Sequence, residues 1–435
     1  MKKFFITILS LLPLLAHAQK EFSLQQCIDY ALEHNLNILR QKDNVKLQEI
    51  SLSSSKNQRL PSLSASASES FNFGRAITID NTYSNNNTQS TSFSLSTDIP
   101  IYNGGQMEYD VKVKKLGLEA ALADLDKARE DITLNIVSSY LEAVYQKDLV
   151  SVSERQVELS KAQVERMQKL VNNGKAAEAD LAQIKATHAA DEYSLVQQKN
   201  SYMLALLSLS QLLELETPEG FDVVRPEALN PNTVVLTAPD VIYSEALGIK
   251  PEVRAEQLRI ESAEKNIRIA RAGYYPTISF GGGIGTSYYK TSGFMAKGFG
   301  QQMKDNFSQY IGLNLSVPIF NRFSTRNNIR QAKVSLHSQQ LQFEETKKNL
   351  YKNIQQAYYN AYAAQKQCIS SDAALQSART SFQLMEKKYE NGKANATEYQ
   401  EQKTNMLKAE ATAIQSKYTF LFREKILNFY RNSKL

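Results

Sequence analysis

Apolar and polar side chains alternate in four stretches of the chain, at residues 61–73, 91–102, 276–288 and 309–320. In the first of them, Leu63, Ala65, Ala67 and Phe71 are separated mainly by serine. A period of two predicts a β-strand with one apolar and one polar face. A dozen residues span roughly 40 Å, enough to cross a bilayer at a tilt, whereas strands of soluble sandwiches are about half as long. The pattern favours membrane strands, with two soluble hairpins that share a core as the alternative.

Two long stretches lack glycine and proline, from Glu119 to Asn173 and from Asn321 to Asn391. Within the second stretch, Leu375, Ala378 and Phe382 are three and four residues apart, which is the spacing of a coiled coil. Helices of such length run to roughly 100 Å. Each stretch ends at an Asn-Gly pair, which closes a helix because glycine adopts the left-handed conformation readily. We therefore predict two long antiparallel helical hairpins, with tips at 172–176 and 390–394.

The same order of elements occurs twice. Pro61-Ser62-Leu63 returns as Pro276-Thr277-Ile278, about 215 residues further along, and Pro100 has its counterpart in Pro318. The tip Asn173-Gly174-Lys175-Ala176 returns as Asn391-Gly392-Lys393-Ala394. The predicted division is a first repeat at 19–215, a proline-containing linker at 216–238 and a second repeat at 239–435. Each repeat holds an opening helix (Ser23–Arg59 or Asp240–Ala272), two membrane strands and one helical hairpin.

The first residues predict export across the inner membrane. Lys2 and Lys3 precede an apolar run from Phe4 to Leu15, and Ala16-His17-Ala18 forms a small-x-small cleavage site. This is the pattern of a secretory signal peptide at 1–18. The alternative is a buried N-terminal helix.

Composition excludes several classes of function. The 435 residues carry a formal net charge of only +6, and basic residues alternate with acidic ones, so we expect no nucleic-acid partner. The two cysteines and four histidines lie far apart, without metal-ligand spacing. No phosphate loop or nucleophile elbow is present, so the sequence predicts neither an enzyme nor a cofactor.

Four membrane strands cannot close a barrel, and an open sheet edge in lipid leaves backbone groups unpaired at several kcal/mol each. Closure therefore requires other copies of the chain. Two copies would give eight strands with a filled interior, and three would give twelve strands around a water-filled lumen.

These residues resemble the TolC-like outer-membrane efflux proteins over essentially the whole mature chain. The resemblance rests on Ala31-Leu32 with Asn35, on Leu60–Leu63 and on Asp98–Gly105, together with Leu181 after the first tip and Tyr389 before the second. The second repeat departs from the pattern, because Asn321-Arg322-Phe323 stands where the first has Asn103-Gly104-Gly105. The segment between the second membrane strand and the long helix of each repeat is here called the hinge. The departure leaves the geometry of the second hinge open.

The resemblance implies a mainly α fold with membrane β-strands, in a homotrimer. Its twelve-stranded barrel would contact outer-membrane lipid, and its hairpins would form an α-barrel tunnel in the periplasm. A periplasmic adaptor and an inner-membrane transporter are the implied partners. The implied adaptor contacts are the two tips, at Asn173, Gly174, Lys175, Ala176, Asn391, Gly392, Lys393 and Ala394. The alternative is that these residues only turn the chain.

The resemblance also places carboxylates that narrow the tunnel shortly after the second tip. Here these positions hold Glu398 and Glu401, which share one helix face, while the first repeat has Asp180 and Gln183. In a trimer the two glutamates would form stacked acidic rings at a periplasmic constriction. The alternative is an ordinary solvated helix face.

The expected function is an outer-membrane exit duct for small molecules, with drug efflux favoured, or for polypeptides. A stand-alone porin would not need such long hairpins, and a coiled-coil surface or structural protein would not need two copies with strand hairpins between helices. The sequence leaves the cargo open.

Overall fold

The computed structural model describes residues 20–77, 81–85, 87–215, 220–226, 230–292 and 294–432. The leader expected at 1–18 lies outside these residues, as do parts of the linker expected at 216–238. The described chain is mainly helical, and its two halves repeat one order of long helices and long strands.

The first half contains β1 (Lys20–Phe22), α1 (Leu24–His34), α2 (Leu36–Asn57), β2 (Ser62–Asn72), β3 (Arg75–Ile77), β4 (Tyr83–Asn85), β5 (Thr88–Asn103), α3 (Gln106–Asn172) and α4 (Glu178–Leu212). The second half contains β6 (Phe221–Val223), α5 (Pro239–Ile249), α6 (Pro251–Ala272), β7 (Thr277–Thr291), α7 (Phe299–Asp305), β8 (Ser308–Ser316), α8 (Ser324–Glu390) and α9 (Ala396–Asn432). The two long helices, α3 and α8, have 67 residues each, in agreement with their predicted lengths.

The prediction of one continuous opening helix in each repeat is wrong. Asn35 divides α1 from α2 with φ −61° and ψ 127°, and Lys250 divides α5 from α6 with φ −73° and ψ 126°. Lys250 precedes Pro251, whose ring disfavours helical geometry at the preceding residue. Asn35 has no proline after it. Instead its side-chain oxygen accepts the N–H of Asn37 at 3.0 Å, and its amide donates to the carbonyl of Leu212 at 3.1 Å.

The four long strands form one antiparallel sheet in the order β2-β5-β7-β8. The two hairpins have the same register: Ser62 lies opposite Asp98 in the first, and their counterparts Thr277 and Ser316 lie opposite each other in the second. The last strand is shorter than the predicted 309–320 and ends at Ser316, just before Val317-Pro318. Proline cannot donate to a ladder. In the first repeat the ladder continues past Pro100 through an irregularity between Pro100 and Tyr102.

After the strands, both repeats turn into a long helix through two left-handed residues. In the first repeat these are Gly104 (φ 67°) and Gly105 (φ 79°). In the second they are Arg322 (φ 53°) and Phe323 (φ 61°). The hinge that the sequence left open therefore keeps the same backbone conformation in the second repeat, although neither residue is glycine.

Two structural units are distinguished within the chain. The helical unit takes the described residues up to Lys42 together with Leu125–Pro251 and the chain from Lys347 onward. The strand unit takes Asp43–Asp124 and Glu252–Thr346. Within the described ranges, none of the helices combines the length and the apolar character that a bilayer crossing requires.

The core of the helical unit follows the coiled-coil spacing. Its buried side chains on α8 include Leu350, Ile354, Ala357, Ala361, Ala364 and Cys368. Steps of four and three residues place them on one stripe of the helix, which packs as the a and d positions of a coiled coil do.

Candidate functional site

Both hairpin tips are Schellman turns with the same hydrogen bonds. At the first tip, Gly174 has φ 69°, its N–H donates to the carbonyl of Val171 at 2.9 Å, and the N–H of Lys175 donates to the carbonyl of Leu170 at 2.9 Å. At the second, Gly392 also has φ 69°. The N–H groups of Gly392 and Lys393 donate to the carbonyls of Tyr389 and Lys388 at 3.1 and 2.8 Å. This pattern satisfies the last carbonyls of a helix and requires a residue that tolerates positive φ.

The predicted tip residues lie at the surface. Asn173, Gly174 and Lys175 are exposed and Ala176 is half-buried, and their counterparts Asn391, Gly392, Lys393 and Ala394 follow the same pattern. The glycines are needed for the turn, whereas the two lysine side chains are available to another molecule.

One cavity of about 560 Å³ brings the two tips of the chain together. Its lining includes Lys175 and Ala176 from the first tip with Gly392 and Ala394 from the second. Arg166 and Glu390 also line it, and Arg166 Nη1 lies 3.7 Å from Glu390 Oε1. The two hairpins of a single chain thus end side by side and present a joint surface.

An aromatic cluster that the sequence analysis missed supports this surface. The ring of Tyr399 lies 4.8 Å from that of Tyr389 and 5.4 Å from that of Phe382, between ring centroids. Gln163 of α3 donates to the Tyr399 hydroxyl at 2.5 Å. Burial raises the pKa of Tyr399, so the hydroxyl stays neutral. Phe382 lies on the predicted coiled-coil stripe and Tyr389 is one of the residues that carry the family resemblance, whereas no sequence pattern singles out Tyr399.

Glu398 has a structural partner directly before the start of its own helix. Its Oε2 accepts the N–H of Asn395 at 3.1 Å, while Asn395 Oδ1 accepts the N–H of Glu398 at 2.8 Å. These reciprocal bonds form a capping box at the start of α9. The Asn395-x-x-Glu398 pattern could have been read from the sequence.

Glu401 lies one turn further along α9 and is exposed, as Glu398 is. It lines a second cavity of about 660 Å³ together with Gln183 of the first hairpin. The structure therefore brings Glu401 close to the residue that holds its position in the first repeat. The role of both glutamates at a constriction stays a prediction.

Buried charges link the helices of the two hairpins above the tips. Lys403 is fully buried, and its Nζ lies 3.4 Å from Asp191 Oδ2, which also accepts from Gln156 at 3.0 Å. Burial lowers the pKa of Lys403, and the Asp191 carboxylate opposes that effect.

A second cluster lies on the same helix, α9. Glu410 Oε1 accepts from Arg155 and from Arg379, both at 3.0 Å. The Glu410 carboxylate is largely buried, whereas both arginine side chains are partly exposed. Only the loss of both arginines would therefore leave a buried charge unpaired.

A short parallel sheet of β1 and β6 is held against the hairpins by polar groups. The Tyr140 hydroxyl lies 3.0 Å from the carbonyl of Phe22 and 2.6 Å from that of Val224. Lys147 donates to both carboxylate oxygens of Asp222 at 2.9 Å, and Tyr202 donates to the same carboxylate. Burial acts to raise the pKa of Asp222, but these hydrogen bonds outweigh it and the pKa lies below its ordinary value. These contacts join the small sheet to α3 and α4 within the helical unit.

The four-stranded sheet has two chemically different faces. One carries mainly apolar side chains, together with the charged Glu69 and Lys290; its apolar members include Leu63, Phe93, Leu95, Phe280, Ile284, Ile311, Leu313 and Leu315. The other carries a ladder of hydroxyls, in which Ser64, Ser66 and Ser68 pair with Ser96, Ser94 and Ser92 at 3.0, 2.7 and 2.7 Å. Within these four described strands, Asp98 is the only charged residue on the polar face. Across the described ranges, no three His, Cys, Asp or Glu side chains come together in a way that could hold a metal ion.

A duplicated chain of long helical hairpins with an amphipathic strand sheet defines a class of outer-membrane channel. Comparison of the chain with known proteins agrees with this class. The family model "Outer membrane efflux protein" matches residues 27–214 and 242–427. The chain therefore belongs to the outer membrane efflux protein family. It is an outer-membrane protein that serves as an exit duct for export.

Individual relatives are distant. The chain is 22% identical over 363 residues to Outer membrane protein TolC of Escherichia coli, covering 79% of this chain and 71% of the relative. It is 21% identical over 314 residues to the pyoverdine export outer membrane protein OpmQ of Pseudomonas putida, covering 70% and 62%. Among solved structures, the open state of the Neisseria gonorrhoeae MtrE outer membrane channel matches with a TM-score of 0.73 and 19% identity, covering 95% of this chain and 91% of that one. Family membership supports the export duct over a stand-alone porin or a structural filament.

Proposed function

We propose that the chain works as a homotrimer whose twelve strands close into a barrel in the outer membrane and whose hairpins form a tunnel in the periplasm. The observation that carries the proposal is the four-stranded sheet with β2 and β8 at its edges. A sheet edge exposed to hydrocarbon leaves backbone groups unpaired at several kcal/mol each. Further copies of the chain remove those edges by pairing with them.

The two faces of the sheet support this arrangement. The apolar face suits lipid, and the serine-rich face suits a water-filled lumen. Because that polar face carries only one charged residue, Asp98, in the four described strands, the membrane part of the duct selects little by charge. Such a lining is compatible with varied cargo.

The tips support a role for partners. In the proposal, a periplasmic adaptor docks on the joint surface of the two tips and on the exposed Lys393 next to it. An inner-membrane transporter supplies the energy. The cargo is small molecules, with drugs first, or polypeptides. Pyoverdine export, named for the relative in Pseudomonas putida, is one example of such cargo in the family.

The test is export in a host that lacks its own ducts of this family. Expression of the chain with its cognate adaptor and pump should lower the accumulation of fluorescent drug-like dyes. A stand-alone porin would raise dye accumulation and would need no adaptor. Unchanged accumulation with the protein correctly placed in the outer membrane would overturn the export function.

A further inference from the structure

The internal duplication provides a template for the seam between two subunits. Within the chain, β5, the second long strand of the first repeat, pairs with β7, the first long strand of the second repeat. In a closed ring of repeats the same type of joint recurs where β8 meets β2 of the next subunit. This inference rests on the proposed function, because it needs several copies of the chain in one ring.

The two repeats correspond residue by residue along the strands. The register of the first hairpin is reproduced in the second, so each residue of β2 has a counterpart on β7, and residues 90–98 of β5 have counterparts on β8. Within the chain Ser96 lies opposite Gly283, and Thr97 lies opposite Gly282. The counterparts of Ser96 and Gly283 are Asn314 and Ser68. Those of Thr97 and Gly282 are Leu315 and Ala67.

We propose that β8 of one subunit pairs antiparallel with β2 of the partner subunit in this transferred register. Asn314 then lies opposite Ser68 of the partner subunit, and Leu315 lies opposite Ala67 of the partner subunit.

The chemistry of the two edges fits the transferred register. It places Asn314 beside a serine on the polar face, and Leu315 beside an alanine on the apolar face. A slip of one residue would move Leu315 among the serines, because neighbouring residues of a strand point to opposite faces. Only slips of two residues keep the faces apart, and they would place Asn314 opposite Ser66 or Ser70 of the partner subunit.

Paired cysteines distinguish the three registers. The variant Asn314→Cys with Ser68→Cys carries one cysteine on each edge, and its matched controls combine Asn314→Cys with Ser66→Cys or with Ser70→Cys. Membranes are treated with a short bifunctional methanethiosulfonate and run on a denaturing gel. Each single variant is run as well, because Cys27 and Cys368 are native thiols, although both are buried. Native mass spectrometry of each untreated variant reports whether the subunits assemble.

The expected result is covalent dimers and trimers with the Ser68→Cys pair and monomers with the two slipped pairs. Stronger crosslinking with Ser66→Cys or Ser70→Cys in assembled protein would overturn the register and leave the proposed function intact. Absence of crosslinks in all three assembled variants would overturn pairing between β8 and β2. If native mass spectrometry of the unsubstituted protein shows only single chains, the proposed trimer is overturned, and with it the pairing between β8 and β2.

Discussion

Gly104 and Arg322 hold the same position in the two repeats, and both have a left-handed backbone. Their surroundings differ. A Cβ on Gly104 would lie 2.6 Å from the carbonyl oxygen of Ala272 and 3.0 Å from Tyr275 Cβ. The first hinge therefore packs against the end of α6 at a distance that only glycine allows. The second hinge carries a full arginine side chain and cannot make a contact of that kind.

The first prediction follows from this difference. Gly104→Ala should destabilise the protein by at least about 2 kcal/mol, because it adds a steric clash to the cost of a left-handed residue. Gly105→Ala is the matched control: its φ is also positive, but the nearest atom to its Cβ would be 3.8 Å away. It should cost only about 1 kcal/mol.

The reverse change tests the second hinge. Arg322→Gly should stabilise the protein by about 1 kcal/mol, because glycine adopts φ 53° without steric cost. Urea unfolding of the detergent-extracted protein measures all three variants. Equal losses for Gly104→Ala and Gly105→Ala would show that the close approach to Ala272 carries no energy.

The buried pair of Lys403 and Asp191 gives a second prediction. Lys403→Met should destabilise the protein by about 3 kcal/mol, because it leaves the Asp191 carboxylate without its cation. Lys403→Met with Asp191→Asn should recover much of that loss. The matched control is Lys185→Met, since Lys185 holds the same position in the first repeat and is exposed. Thermal unfolding in detergent measures the stability of each variant. Similar losses of stability for Lys403→Met and Lys185→Met would contradict a role for the buried pair.

The acidic positions after the second tip give a third prediction. The double variant Glu398→Gln with Glu401→Gln removes both charges, while the amide oxygen introduced at position 398 can still accept the N–H of Asn395, as the capping box requires. If both side chains ring a constriction, the closed duct should lose its preference for cations and its block by multivalent cations from the periplasmic side.

Single-channel recording in planar bilayers measures this effect. Glu178→Gln is the control, since it removes an exposed charge from the first turn of α4 at the other tip. Selectivity and block that stay the same in the double variant would assign both glutamates to a solvated helix face.

The tips give a fourth prediction. Lys175→Glu with Lys393→Glu reverses two exposed charges without touching the left-handed glycines. Export should fall sharply, while the protein stays assembled in the membrane, if the adaptor binds the joint surface. Crosslinking pull-down of the adaptor is the readout. A variant that retains the adaptor and full export would refute docking through these lysines.

Gly174→Asn separates turning from docking. Asparagine tolerates the left-handed conformation, and no atom lies within 4 Å of a Cβ at this position. We expect this variant to keep both stability and export. A loss of export with normal assembly would place the docking contact at the turn itself rather than at the lysines.

Local patterns in the sequence predicted much of this fold. The alternation around Leu63 and Ala65 located the strands, and the Asn-Gly pairs located both tips, because each is a property of neighbouring residues. The predicted strand at 309–320 extends past the observed end of β8 at Ser316, because Pro318 cannot donate to the ladder. Lys250-Pro251 also held a readable signal for a helix break, whereas the break at Asn35 depends on a hydrogen bond to Leu212, far along the chain.

Tertiary contacts could not be predicted in the same way. Lys403 meets Asp191 across 212 residues, and a lysine within a helix carries no sign of its partner. The joint cavity at the tips likewise depends on how two hairpins lie side by side. The internal duplication was the one sequence feature that reached beyond local structure, since it required both halves to share one fold.

The most direct test of the proposed duct is the mass of the assembly extracted from the outer membrane in mild detergent. Four strands per chain, with β2 and β8 at the edges, predict a particle of three chains by native mass spectrometry. A particle of one or two chains under these conditions would contradict the twelve-stranded barrel and the tunnel that depends on it.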